Sequence, residues 1–261
     1  MKYYGGCDVG STYTKAVILD ETGKMVADTT IRSKINSEQS AIMAMNEVVA
    51  KVPELNTSKD LAYLIGTGYG RNKVPFADEN ISEISCHAMG VHVTDPNVRA
   101  IIDIGGQDVK GISIDTDGTV KNFAMNDKCA AGTGRFYEAM ARSFEMTLPE
   151  FSNLSLGAKN VIPITAQCTV FAESEVVSLI ADNHSAADIV HGLNQSVAAK
   201  TAALASRAGA KGPYMMTGGV ARNRVVTEAL EARLGAPLWL PPEPGLCGAL
   251  GAALFALDSI Q

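Results

Sequence analysis

The sequence has no excess of basic residues. Its 22 lysines and arginines are outnumbered by 28 aspartates and glutamates, for a formal net charge of -6. No basic stripe is therefore available to neutralise nucleic-acid phosphates, and nucleic acid is excluded as a partner. Long apolar runs are missing too. No window approaches the roughly 18 uncharged apolar residues of a membrane span, so none is predicted. The first residues, Met1-Lys2-Tyr3-Tyr4-Gly5, lack a basic region followed by an apolar core. No secretory leader is expected, and the protein is placed in the cytoplasm. Cysteine is scarce and odd in number, at five. A disulfide scaffold is not predicted, which leaves core filler, reactive thiol or metal ligand.

What is present suits a buried core: 46% hydrophobic and 19% charged residues over 261 positions. That length predicts two lobes of roughly 100–150 residues around a cleft. An internal repeat supports the division. Asp8-Val-Gly-Ser-Thr-Tyr-Thr-Lys15-Ala-Val-Ile-Leu-Asp20-Glu-Thr-Gly23 aligns without a gap on Asp103-Ile-Gly-Gly-Gln-Asp-Val-Lys110-Gly-Ile-Ser-Ile-Asp115-Thr-Asp-Gly118, at a constant offset of 95. Each copy predicts strand, glycine turn, strand and second turn, the opening meander of one lobe. A pseudo-two-fold relation between the lobes is expected. The break at Asp95-Pro96-Asn97 sets lobe I at 1–96 and lobe II at 97–246, with a terminal helix over 247–261 packing back on lobe I.

Helical spacing is clear in two places. Ser37 is expected to cap a helix with apolar positions Ile42, Met45, Val49 and Val52. Ser185 is expected to cap another carrying Ile189, Leu193, Val197 and Leu204, with Gly209 past its end. Strands are predicted at Leu61–Ile65, Ala100–Ile104 and Tyr214–Met216, and the last helix at Cys247–Leu257.

The glycine turns carry the first chemistry. A turn without side chains lets backbone N–H groups approach an anion, and Ser11, Thr12 and Thr14 add hydroxyls. Lys15 supplies positive charge, while Asp8 and Asp103 at strand ends suit a magnesium ion held mostly through water. Thr217-Gly218-Gly219-Val220-Ala221 follows a strand and precedes a helix beginning near Asn223, a place for adenosine and α-phosphate. One Asp-x-Gly turn is most often a hairpin device. Two in register, followed by strand, Gly-Gly and helix, favour a nucleotide. These segments resemble the two phosphate motifs and the adenosine motif of the superfamily of actin, sugar kinases and heat-shock chaperone ATPases.

Cys129 lies in Asn126-Asp127-Lys128-Cys129-Ala130-Ala131-Gly132-Thr133-Gly134-Arg135-Phe136, and Cys168 in Ala166-Gln167-Cys168-Thr169-Val170-Phe171-Ala172-Glu173-Ser174-Glu175. Both precede helical stretches, where N–H donors suit an anionic cluster, and Gly132-x-Gly134 lets backbone crowd its sulfides. Two thiols are too few for four irons, though a symmetric dimer doubles them. Spacing alone still favours buried filler for both.

Together these segments resemble the activator component of 2-hydroxyacyl-CoA dehydratases, in the family that holds the ATPase subunits of benzoyl-CoA reductase. The resemblance runs from Asp8 through Ile102–Asp108, Asn126–Phe136, Gln167–Ser174 and Met216–Ala221 to Gly248-Ala-Leu-Gly-Ala-Ala253. It implies an α/β, two-lobed actin-like (ribonuclease-H-like) ATPase fold with an internal duplication. It also implies a homodimer in which Cys129 and Cys168 of each chain ligate one shared 4Fe-4S cluster. ATP turnover would then drive an electron from ferredoxin or flavodoxin into a partner iron–sulfur dehydratase or reductase. On this reading ATP and Mg2+ bind at Asp8, Gly10, Ser11, Thr12, Tyr13, Thr14, Lys15, Gly105, Gly106, Gln107, Asp108, Gly218, Gly219, Ala221 and Gly245. Asp103 or Gln107 orients the attacking water. Two positions depart from the family pattern: Gly245-Leu246-Cys247 where a glutamine stands near the adenine, and Tyr13 where the residue is small.

Other candidates are set aside. Cys7, Cys86 and Cys247 are expected in the core, as are Met43, Met45, Met215 and Met216. His87 and His92 diverge by about 140° on a helix and make no metal pair. His184 and His191 read as surface or helix-face residues. A small-molecule kinase of the same superfamily is the rival reading, although the chain has no room for an extra substrate domain. A nucleotide switch without catalysis is a third.

Overall fold

The computed structural model describes residues 1–165 and 168–260. Ala166 and Gln167 of the second cysteine segment, and Gln261 at the end of the expected terminal helix, lie outside the described residues. Two compact units share the chain. The first comprises Met1–Val98, Ile114–Lys121 and Pro241–Gln261, and the second Arg99–Ser113 and Asn122–Leu240.

The first unit is built on a sheet ordered β3-β2-β1-β4-β5. Its strands are β1 (Tyr3–Val9), β2 (Tyr13–Asp20), β3 (Met25–Arg32), β4 (Tyr63–Thr67) and β5 (Glu79–Asn80). The meander β1–β2–β3 is antiparallel, and β4 then runs parallel to β1. Every residue of β1 is buried, so both of its faces are covered. Tyr3, Cys7 and Val9 pack against helix α1 (Ser37–Val49). The opposite face meets helix α8 (Cys247–Asp258) through Tyr4. Helix α2 (Glu83–Thr94) lies against α8 so closely that a side chain on Gly90 would strike the Cys247 carbonyl. The turn 114–121 joins this unit because Gly118 abuts the His92 ring of α2.

Two local expectations shift by a residue. Asn36, not Ser37, caps α1, since its side chain accepts hydrogen bonds from the amides of Glu38 and Gln39. The buried face of α1 is accordingly Ala41, Ala44, Met45, Val48 and Val49, which leaves Ile42 and Met43 exposed. Met43 is therefore surface and not core filler.

The second unit repeats the plan with the order β10-β9-β6-β7-β8. Its strands are β6 (Ala100–Ile104), β7 (Val109–Ile114), β8 (Val120–Asn126), β9 (Tyr214–Thr217) and β10 (Leu238–Trp239). As before, the central strand β6 pairs antiparallel with the next strand and parallel with a later one, β9. The duplication thus extends from sequence to strand order. The helices are α3 (Gly134–Ser143), α4 (Leu148–Leu154), α5 (Thr169–Ala181), α6 (Ala186–Arg207) and α7 (Arg224–Leu234). Ser185 precedes α6 as expected, its Ile189, Leu193, Val197 and Leu204 are buried, and Gly209 follows at φ +66°. One buried polar chain crosses this core. The Tyr137 hydroxyl donates to Asn194 Oδ1 at 3.0 Å, and Asn194 Nδ2 donates to Ser155 Oγ at 3.2 Å. It satisfies polar groups that burial would otherwise penalise, and it ties α3 to α6. Among the described residues no helix is long and apolar enough to cross a membrane.

The backbone contact at Gly6 carries the first prediction. A Cβ there would run into the Ala249 carbonyl and the Ala253 amide of α8. Gly6→Ala should cost about 1–3 kcal/mol through overpacking, measured by urea unfolding. An unchanged midpoint would show that α8 yields easily.

Candidate functional site

The repeated turns are alike in detail. Asp8 stands opposite Lys15 across β1 and β2, and Lys15 Nζ reaches Asp8 Oδ2 at 3.0 Å. Asp103 stands opposite Lys110 across β6 and β7, and Lys110 Nζ reaches Asp103 Oδ2 at 3.1 Å. Both hairpins close the same way: Gly10 donates its amide to the Tyr13 carbonyl at 3.2 Å, and Gly105 to that of Asp108 at 2.9 Å. The cross-strand carboxylate–ammonium pair gives each aspartate a counter-charge inside its sheet.

Their surroundings then diverge. In the first unit Tyr13 occupies the place that Asp108 holds in the second. Lys110 consequently touches two carboxylates, Asp103 and, at 2.6 Å, Asp108, and its side chain is 3% exposed. Lys15 pairs with Asp8 and is 19% exposed. Lys15 remains within reach of a ligand, whereas Lys110 is committed to the fold. Asp103 is further held by Thr217, whose Oγ1 donates to Asp103 Oδ1 at 2.8 Å. Both of its oxygens are thus engaged. Gln107 lies exposed in the turn beside it.

The expected phosphate hydroxyls separate as well. Thr14 is fully buried and shares a 2.9 Å hydrogen bond with Ser33, which donates to the Gly10 carbonyl at 2.7 Å. Thr14 therefore braces the turn. Thr12 Oγ1 is buried and has no partner among the described residues, while Ser11 and Tyr13 reach the surface. At the adenosine segment Gly218 takes φ +83° and Gly219 is exposed. Ala221 instead packs in the hydrophobic cluster of the second unit. Gly245 is half-buried ahead of α8.

The cysteines fall into two classes. Cys7, Cys86 and Cys247 are buried, and burial raises the Cys7 thiol strongly and the Cys86 thiol to about 12. Burial thus disfavours the thiolate, the metal-binding form, at Cys7 and Cys86. Cys129 is half-buried and Cys168 exposed. Both act on one ammonium, Lys200 of α6: burial lowers its pKa, and Cys129 and Cys168 each raise it. Cys168 stands at the N-cap of α5 with no side-chain cap, and the neighbouring Thr169 Oγ1 is buried without a partner among the described residues. Gly132, at φ +88°, faces Val197, and Gly134 faces the backbone of Gly105 and Gly106. Gly132 thus serves a left-handed turn and Gly134 a close approach to the second glycine turn.

Two further hydrogen bonds join this segment to the turn. The Gly134 amide donates to the Gly105 carbonyl at 2.9 Å and the Arg135 amide to the Gly106 carbonyl at 2.8 Å. Thr133 offers no side-chain cap, so the turn itself satisfies the opening amides of α3.

Similarity to known proteins runs the length of the chain. Residues 6–256 match the model of the BadF/BadG/BcrA/BcrD ATPase family. The chain belongs to that family. It is 45% identical to the activator of lactoyl-CoA dehydratase of Anaerotignum propionicum, over 99% of each protein. The crystal structure of Acidaminococcus fermentans (R)-2-hydroxyglutaryl-CoA dehydratase component A superposes with a TM-score of 0.93 at 42% identity, covering 99% of both chains. The activator of the 2-hydroxyisocaproyl-CoA dehydratase from Clostridium difficile with bound ADPNP gives 0.92 at 42% identity, covering 98% of this chain and 95% of that one. These neighbours share the actin-like ATPase fold, and the protein is an ATPase of this family.

The residues present suit the groups such an ATPase employs. Asp8 keeps one oxygen, Oδ1, outside its contact with Lys15, which matches magnesium's habit of using few protein carboxylates. No cluster of three or more His, Cys, Asp or Glu side chains suited to a metal occurs among the described residues. Cys129 and Cys168 are the two cysteines outside the core, and Cys168 stands at a helix start without a side-chain cap. Sequence reasoning missed Lys110, Thr217 and Lys200 as site residues. The coincidence of Lys15 with Lys110 in the repeat was the available signal for the first.

The buried ion triad gives the second prediction. Lys110→Met removes the ammonium shared by Asp103 and Asp108 and should cost about 3–5 kcal/mol, read from urea unfolding. A loss below about 1 kcal/mol would mean that the carboxylates find other partners.

Proposed function

We propose that this protein is the ATP-hydrolysing activator of a 2-hydroxyacyl-CoA dehydratase. It delivers low-potential electrons, taken from a ferredoxin or flavodoxin, to that partner iron–sulfur enzyme. The observation that carries this reading is near-full-length identity to dehydratase activators, joined to two accessible thiols that act on the same Lys200. More distant similarity to one chain of the benzoyl-CoA reductase of Thauera aromatica, 30% over 76% of this protein, makes a reductase partner the second choice.

Cys129 and Cys168 would hold a 4Fe-4S cluster, which accepts and releases one electron. Two thiolates per chain call for two chains, so the working unit is a homodimer. Val170, Phe171 and Val177 are exposed on α5 just after Cys168, and a second copy would cover them. Lys15 and the Gly10–Tyr13 turn are assigned to phosphate, Asp8 to Mg2+ through water, and Gly218, Gly219 and Gly245 to the adenosine end. Gln107 is preferred over Asp103 for the attacking water, because the oxygens of Asp103 are already engaged by Lys110 and Thr217. The bonds from α3 to Gly105 and Gly106 support coupling, since a rearranged turn must disturb the helix that follows Cys129.

Anaerobic purification and iron analysis test the cluster. About four irons per pair of chains are expected, with sharp loss in Cys129→Ser and Cys168→Ser but not in Cys7→Ser or Cys86→Ser. Iron retained in both of the first pair would sink the assignment. Electron delivery from the dithionite-reduced protein to a candidate dehydratase should require ATP, and equal transfer with a non-hydrolysable analogue would refute ATP-driven transfer.

A further inference from the structure

The two units share a third element that the repeat alignment does not contain. Thr217 of β9 stands opposite Asp103 in parallel register, and Thr67 of β4 stands opposite Asp8 in the same way. Each threonine is followed by a glycine in the left-handed region, Gly68 at φ +88° and Gly218 at φ +83°. A side chain on either glycine would run into Oδ1 of the facing aspartate. The framework is common, yet the hydrogen bond is not. Thr217 donates to Asp103, whereas Thr67, fully buried, has no oxygen or nitrogen hydrogen-bond partner among the described residues. Its hydroxyl is served by the Cys86 thiol alone, and sulfur is a weak acceptor.

A hydroxyl served only by a thiol in a sheet interior is poorly satisfied, and valine would fill the same space in a strand without that cost. A group that burdens the fold this way is commonly retained for function. The function follows from Lys15. If this ammonium moves to a phosphate, Asp8 loses the cation that holds its Oδ2. A donor is then needed to keep the carboxylate aimed, and Thr67 lies across from it in register. A change of χ1 between staggered wells is enough to redirect a threonine hydroxyl.

We propose that Thr67 is a positioning residue for Asp8, donating to Asp8 Oδ1 once Lys15 engages nucleotide phosphate. The first unit thereby acquires the carboxylate–threonine bond that the second unit holds permanently. This inference rests on the assignment of Asp8 and Lys15 to the magnesium nucleotide.

The test uses the anaerobically purified protein and the variants Thr67→Val, Thr67→Ser and Asp8→Asn. Two quantities are read: the magnesium concentration giving half-maximal ATPase activity, and the rise in thermal midpoint on adding magnesium and a non-hydrolysable ATP analogue. Without ligand and in chelator, Thr67→Val should melt at or above the wild-type midpoint. Its half-saturating magnesium should nevertheless rise about tenfold, as expected for losing a hydrogen bond to a charged group, and its ligand-induced midpoint rise should shrink. Thr67→Ser should restore both readings. Wild-type values in Thr67→Val, with Asp8→Asn impaired, would overturn the role of Thr67 and leave the site assignment standing. Wild-type values in both variants would overturn the assignment of Asp8 as well. A lowered ligand-free midpoint in Thr67→Val with unchanged magnesium dependence would make Thr67 structural and end the proposal.

Discussion

A carboxylate stays ionised inside a β-sheet only if a cation stands beside it, and in both central hairpins of this protein that cation comes from the neighbouring strand. Asp8 with Lys15, and Asp103 with Lys110, fix the register of each hairpin. A slip of one residue would separate charge from counter-charge and turn every apolar side chain to the wrong face. Strand order, glycine turns and the approach of β4 and β9 all build outward from these pairs. The two copies then specialise by exposure. Lys110 is enclosed by two carboxylates at 3% exposure, while Lys15 stays more open at 19%.

The duplication was legible in the sequence because Asp, Gly, Lys, Asp and Gly recur at one spacing. It predicted the hairpins and their closing turns. The Thr67-Gly68 and Thr217-Gly218 correspondence was not legible. Those residues are 150 apart and not 95, since the second unit inserts α3, α4 and the cysteine segments between its hairpin and its fourth strand. A gapless comparison cannot span such an insertion. The cap of α1 was misplaced for a different reason. Asn36 and Ser37 are both good capping residues, and the side-chain bonds to Glu38 and Gln39 decide between them. Ile42 lies at the edge of the face formed by Ala41, Ala44, Met45 and Val48, and Met43 on the opposite side, so both are exposed. Lys200 lay out of view because helical periodicity says nothing about which loops a half-buried lysine will meet.

The cysteines show how little spacing alone conveys and how much burial adds. Spacing alone favours buried filler for Cys129 and Cys168 as for the rest. In the fold, Cys7, Cys86 and Cys247 are enclosed, whereas Cys129 and Cys168 are not, and both bear on the charge of Lys200. The same contrast applies to the methionines and to the hydroxyls of the first turn: Thr14 is consumed by Ser33, and Thr12 is not. Composition defines the set of candidates. The environment chooses among them.

The junction between α3 and the second glycine turn has one more consequence. The opening amides of a helix normally exchange their protons quickly with solvent, because nothing within the helix protects them. Here Gly134 and Arg135 are bonded to the carbonyls of Gly105 and Gly106. The lifetime of those amide protons is therefore set by a turn nearly thirty residues earlier in the chain. Deuterium uptake at 134 and 135 becomes a clock for the second glycine turn, read a few residues away from Cys129.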